Sequence, residues 1–207
     1  MSDYLTDEEQ LARLRSWWER NGTALVVGVV VALALVVGWR WYQGHVEERE
    51  LRASDLYAEF LEAEGGARDE LAGRIVEEGQ GTAYPAFVLL QQASESVSGG
   101  AAEVAEARLR QAVQLSSGAE LADLARLRLA RVLFETGRPD EALTELGQIR
   151  GAGYLSLAAE LKGDIHLSRG ERELAHQSYN TAMTHVQSGD QRPVLEMKIA
   201  DTATSDS

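Results

Sequence analysis

Four histidines, His45, His166, His176 and His185, are the side chains best suited to proton transfer or metal ligation near neutral pH. None stands in the spacing of a His-Glu-x-x-His metal helix or another ligand pattern. The chain has no cysteine, which removes thiolate nucleophiles, thiolate metal sites and disulfides together. No Gly-x-Ser-x-Gly elbow and no phosphate loop are present. His166 falls where the helical repeat described below takes an apolar or aromatic residue, so it reads as a packed neutral imidazole. Catalysis has no residues to rest on, and the expectation is a protein that is not an enzyme and carries no cofactor or metal.

The charge balance narrows the partners. With 33 acidic and 20 basic residues the chain carries a net charge of -13, and no basic patch is available to meet nucleic-acid phosphates. The acidic faces read as solvated surface. Function must then lie in how the helical elements hold other molecules.

The first such element is an apolar run. Residues 21–39 contain no charged side chain and lie between Arg20 and Arg40. As a helix at about 1.5 Å per residue they span roughly 28 Å, close to the roughly 30 Å hydrocarbon core of a bilayer. No polar stripe of the kind a soluble core helix carries is present. A cleaved signal is disfavoured, because the Ala-x-Ala near the N-terminus, Ala32 to Ala34, lies inside the apolar run and the preceding tail is acidic in balance. The reading is an uncleaved transmembrane helix in a lipid bilayer.

The flanks agree. Trp17 and Trp18 precede the run and Trp39, Trp41 and Tyr42 follow it, as amphipathic rings do at the headgroup level. Within the run Ala24, Gly28 and Ala32 recur every four residues, a small-residue ridge and so a candidate partner face for another membrane helix. Ahead of it, Thr6 and Glu9 form a capping box, and Leu11, Leu14, Trp17 and Trp18 share one face of an amphipathic tail at the membrane surface. Asn21-Gly22 is expected to break that tail from the span. Arg13, Arg15 and Arg20 on one side balance Arg40, Arg49 and Arg52 on the other, so charge alone does not orient the span.

After the span, residues 47–64 have a charged helical pattern with Leu51, Leu56, Tyr57, Phe60 and Leu61 near one face. They read as a stalk ended by Gly65-Gly66, followed by a short helix over residues 69–78. From Thr82 onward the chain repeats itself. Ala93, Gly100, Ala105, Leu109 and Ala112 are matched by Ala130, Gly137, Ala142, Leu146 and Ile149, then by Gly163, Gly170, Ala175, Tyr179 and Ala182. The copies stand 37 and then 33 residues apart, near the tetratricopeptide period of about 34 residues.

A small residue late in one helix and another early in the next let the two approach closely, and the glycine between them supplies a turn that a side chain resists. Leu109, Leu146 and Tyr179 are expected to fill the grooves between neighbouring units. Pro139 with Asp140 and Glu141 behind it reads as a helix start. Upstream, Ala58 and Gly65 fit the register but Glu70 does not, so that stretch reads as a degenerate leading unit. Residues 193–200 read as a closing helix and residues 201–207 as a disordered tail.

The expected fold is thus all-α. A tail over 1–20 leads into a transmembrane helix over 21–41, then a stalk and leading unit over 42–81. Tetratricopeptide-like hairpins fill 82–190, and a cap with a tail closes the chain over 191–207. Such stacked pairs supply a surface for peptides or partner proteins.

Two aromatic-rich segments carry a further likeness: Trp17-Trp18-Glu19-Arg20-Asn21-Gly22 before the span and Gly38-Trp39-Arg40-Trp41-Tyr42 after it. With Leu127-Arg128-Leu129-Ala130-Arg131-Val132, Gly151-Ala152-Gly153-Tyr154, Leu161-Lys162-Gly163-Asp164 and Met197-Lys198-Ile199, the chain resembles the YfgM family, ancillary subunits of the bacterial SecYEG translocon. The resemblance implies a single-pass inner-membrane protein with a cytoplasmic N-terminus and a periplasmic repeat domain. It implies work beside SecYEG and the membrane-bound chaperone PpiD, with newly translocated polypeptides as clients, and no catalytic residues. The competing expectation is a structural adaptor of another envelope assembly, bound to one fixed partner.

Overall fold

The computed structural model of the chain describes residues 7–186 and 191–203. The described residues form helices α1 (Asp7–Glu62), α2 (Gly65–Glu78), α3 (Tyr84–Ser98), α4 (Ala102–Leu115), α5 (Ala119–Glu135), α6 (Pro139–Leu146), α7 (Ala152–Ser168), α8 (Arg172–Thr184) and α9 (Arg192–Thr202). No strand occurs among them. The chain divides into two compact units, Met1–Arg49 and Glu50–Ser207.

Within the first unit the expected break at Asn21-Gly22 does not occur, for α1 runs through both residues. The Asn21 amide donates to the Trp17 carbonyl at 3.1 Å, one turn back, so its polar group supports the helix instead of competing with it. Gly22 is buried under the Trp18 indole, where a Cβ would stand 3.1 Å from the ring. Thr6, the proposed capping residue, lies outside the described residues.

The second unit opens with residues 50–62 of α1. Ala53, Leu56 and Phe60 are buried, and Leu56 and Phe60 join Ala72 and Ile75 of α2 and Val88 of α3 in one apolar cluster, with Tyr57 at its edge. Leu51 and Leu61, expected on the same face, are exposed; the buried stripe follows 53, 56 and 60. The proposed register also fails here. Helix α1 ends at Glu62, before Gly65-Gly66, and α2 begins at Gly65 instead of residue 69. Gly65, at φ 58°, therefore opens a helix and does not close one. Ala58 is exposed, and Ala72 and Ile75 are the inward residues of α2.

Three helical pairs follow: α3 with α4, α5 with α6, and α7 with α8. Each first helix ends in the same way. Gly100, Gly137 and Gly170 have φ of 76°, 79° and 75°, in the left-handed region that favours glycine. Their N–H groups donate to Val97, Phe134 and Leu167, while the next N–H groups, of Ala101, Arg138 and Glu171, reach back to Ser96, Leu133 and His166. This paired bonding satisfies carbonyls left open at a helix end, and its threefold recurrence gives the pairs a common turn. Pro139 then starts α6, with Asp140 and Glu141 in its first turn.

One apolar cluster runs from Leu89 through Leu109, Leu129 and Leu146 to Ile165 and spans all three pairs. A second, built on Ala175, Tyr179, Ala182 and Leu195, joins α8 to α9. Helix α9 extends past the expected 193–200, and Asp201 and Thr202, expected in a disordered tail, are its last turn. The buried Thr202 donates to the Lys198 carbonyl at 2.8 Å and lies 3.2 Å from His176 Nδ1, which ties that turn down. The remainder of the expected tail, residues 204–207, lies outside the described residues.

Candidate functional site

The packing residues of the repeat come together inside the pairs. Ala93, Ala105, Leu109 and Ala112 in the first pair, and Ala130, Ala142, Leu146 and Ile149 in the second, are all buried. The third pair widens the size difference. Gly163 takes the place of the helix alanine and Tyr179 that of the leucine, and a Cβ on Gly163 would lie 2.3 Å from Tyr179 Cε1. Ala175 and Ala182 close the same contact. Tyr179 thus fills its own hairpin, contrary to the expectation that it fills a groove between units, because only glycine leaves room for a phenol ring.

The ring is fixed at its edge. Tyr179 Oη donates to Asp164 Oδ1 at 2.8 Å, and Lys198 Nζ donates to Asp164 at 2.7 Å and to Glu160 at 2.8 Å. Burial and then the Asp164 contact push the Tyr179 hydroxyl well above its ordinary pKa. For Lys198 burial acts downward, but the bonds to Asp164 and Glu160 outweigh it and raise the ammonium. Helix α9 is thereby bolted across α7 and α8.

On the other helices a charged ladder joins α4 to α6. Arg138 meets Glu106 at 2.5 Å and holds Glu141 through two bonds, of 2.6 and 2.7 Å. Arg110 bonds Glu106 and Glu141. Burial would raise the Glu106 carboxyl, but hydrogen bonds from Arg138 and Arg110 bring it below its usual value. The Arg138 bonds lower Glu141 in the same way, and Arg138 itself is raised.

Residue spacing in the sequence does not single out Asp123. This residue of α5 is 2% exposed, and its Oδ2 accepts the N–H of Arg150 at 3.0 Å and of Gly151 at 2.6 Å. Arg126 approaches its other oxygen at 3.4 Å. A buried carboxylate from one pair thus holds the two residues that lead into α7 of the next. The signal was an aspartate among apolar neighbours in Leu121-Ala122-Asp123-Leu124-Ala125, where a charge needs partners.

The first helices of the pairs form a continuous face, since α3 meets α5 and α5 meets α7. On it Ser94 and Val97 of α3 and Arg128, Arg131, Val132 and Glu135 of α5 enclose a cavity of about 310 Å³ over Ala93 and Leu109. His166 is not simply packed; its Nδ1 faces Glu171 Oε2 at 2.6 Å across the turn. Among the described residues no group of three or more His, Asp or Glu side chains could hold a metal ion. The face offers shape, apolar surface and charge, which is the equipment of a docking surface.

In the first unit α1 is, among the described helices, the one long and apolar enough to cross a membrane. Ala24, Gly28 and Ala32 all lie exposed along it. Trp17, Trp18, Trp39, Trp41 and Tyr42 are exposed as well, and Trp41 stacks on His45 at 5.6 Å. Leu11, Leu14, Trp17 and Trp18, with Arg15, border one common hollow, so the tail's expected face is assembled on the helix.

Comparison with known proteins gives these features a context. The family model of a tetratricopeptide repeat-like domain matches residues 15–204. A Haemophilus influenzae protein named ancillary SecYEG translocon subunit is 30% identical over 203 residues, covering 97% of each chain. An Escherichia coli protein of the same name is 29% identical over 202 residues, covering 96% of this chain and 98% of the relative. An Aggregatibacter actinomycetemcomitans namesake is 30% identical over 185 residues, 88% and 91% of the two chains. No solved structure matches the chain. A long apolar helix, three glycine-turned hairpins and this near full-length similarity place the chain in the tetratricopeptide repeat-like family of ancillary SecYEG translocon subunits.

Proposed function

We propose that this protein is a membrane-tethered adaptor at the SecYEG translocon. In this reading residues 21–41 cross the inner membrane once, residues 1–20 form a cytoplasmic tail, and the helical pairs stand in the periplasm. There they link the channel to a PpiD-type chaperone and receive newly translocated client polypeptides. Trp17, Trp18, Trp39, Trp41 and Tyr42 seat the span at the two interfaces, and Ala24, Gly28 and Ala32 pack against a membrane helix of the partner. The carrying observation is the similarity to proteins named as translocon subunits over 97% of both chains. The long apolar helix and its aromatic flanks support the anchor, and the family resemblance supports the orientation.

The test is purification of the full-length protein from membranes in mild detergent, with its co-purifying proteins identified and the domain's protease accessibility scored in spheroplasts. Recovery of SecYEG components with a membrane-bound chaperone, and digestion from the outer side, are expected. Release of the protein by alkaline carbonate, or recovery without any translocon component, would overturn the proposal.

A further inference from the structure

We infer that the cavity between α3 and α5 is a docking subsite for an extended acidic peptide, taking a carboxylate on Arg128 and Arg131 and an apolar side chain against Val97 and Val132. The inference rests on the adaptor reading above and names the chemistry its docking face selects. The observation behind it is a pair of cations left open in an acidic protein. Arg131 is exposed and has no hydrogen-bond or ion-pair partner among the described residues, and Arg128 makes one long contact there, 3.5 Å to the Leu90 carbonyl. Several other arginines of the pairs do meet carboxylates, Arg110 and Arg138 with Glu106 and Glu141, and Arg169 with Asp140.

With a net charge of -13 there is no shortage of carboxylates, yet among the described residues none reaches these two. Glu135 borders the cavity but lies beyond ion-pair distance of either arginine. Three residues apart on α5, Arg128 and Arg131 lie on one side of the helix and point the same charge at one opening. An arginine fork binds carboxylate through paired, charge-assisted hydrogen bonds, and two such forks at one opening give that attraction a fixed place.

The second half of the site is apolar. Val97 is 44% exposed, an uncovered branched side chain at the mouth, while Val132, Ala93 and Leu109 form the buried floor. The volume of about 310 Å³ is at the small end of ligand pockets, and suits one or two side chains of a peptide lying along the groove rather than a folded domain. Ser94 at the rim adds a hydroxyl for the peptide backbone.

Full-length protein in detergent micelles, titrated by fluorescence anisotropy with a short labelled peptide of alternating leucine and aspartate, tests this. The peptide is expected to bind, to weaken steeply with salt, and to lose about tenfold or more in affinity on Arg128→Glu or Arg131→Glu, the loss of one charge-assisted bond. Both residues are exposed, so the melting curve should not move. The double variant is expected to reverse preference and bind the version with lysine in place of aspartate. Equal binding of the aspartate and asparagine peptides, unchanged affinity in both variants, or capture of phosphatidylglycerol vesicles through these arginines with no peptide binding would each overturn the inference. The titration contains no translocon component, so its result is independent of the co-purification that tests the adaptor reading.

Discussion

Gly163 and Tyr179 occupy each other's space: a Cβ on the glycine would stand 2.3 Å from the phenol ring, inside any real contact distance. The corresponding residues of the other pairs are Ala93 with Leu109 and Ala130 with Leu146. The small and the large member therefore vary together, and the third hairpin closes only because its helix has no side chain at that point. Gly163→Ala should cost about 1–3 kcal/mol by overpacking. In a Tyr179→Leu background the same change should be neutral or stabilising, by up to about 1 kcal/mol, since alanine is the better helix former. Denaturant titrations of the four proteins give the coupling; equal effects of alanine in both backgrounds would refute the contact.

Asp123 carries a second long-range contact. Asp123→Ala leaves the Arg150 and Gly151 N–H groups without their acceptor and Arg126 without its carboxylate. The expected loss is about 2–4 kcal/mol. Asp123→Asn keeps an acceptor for the backbone and should lose less. Thermal melts of the two variants check the order, and an Asn variant weaker than the Ala variant would contradict it.

Ala142 has no exposed surface and sits at the start of α6 against α5. Ala142→Arg forces a long charged chain into that contact and should separate the second hairpin, lowering the melting temperature sharply. An unchanged melting curve would mean the register of the pair is wrong.

Acid should loosen the ladder between α4 and α6. The folded carboxyls of Glu106 and Glu141 lie below their usual values because of the Arg138 and Arg110 bonds. Their contribution to stability is therefore complete above the unfolded carboxylate range, near pH 4.3, and is lost as pH falls through the depressed folded values. Arg138→Met should lower the melting temperature at pH 7 and do progressively less as pH falls below the unfolded carboxylate range and through the depressed folded values, where wild type loses the same bonds. A difference that stays constant across this window would show that the ladder does not titrate with folding.

Much of the candidate site was legible because it is written locally. The apolar run and the tryptophans around it need only composition and order. The three matched sets of small and large residues needed only spacing, because a helix turn of about 3.6 residues decides which positions face the partner helix. Those positions are buried in all three pairs, and the glycine between them has positive φ each time. Upstream the same logic misread Ala58 and Gly65, since the glycine there opens α2 and shifts the inward face to Ala72 and Ile75.

Tertiary structure alone decided what depends on residues distant in the chain. Asp123 bonds backbone 27 and 28 residues away, Lys198 crosses 34 and 38 residues to Asp164 and Glu160, and the open Arg128 and Arg131 become a site only where α3 lies beside α5. Periodicity tells each helix which side to bury. It does not say which charge will find a partner, because that follows from how whole helices stack after their apolar faces have closed.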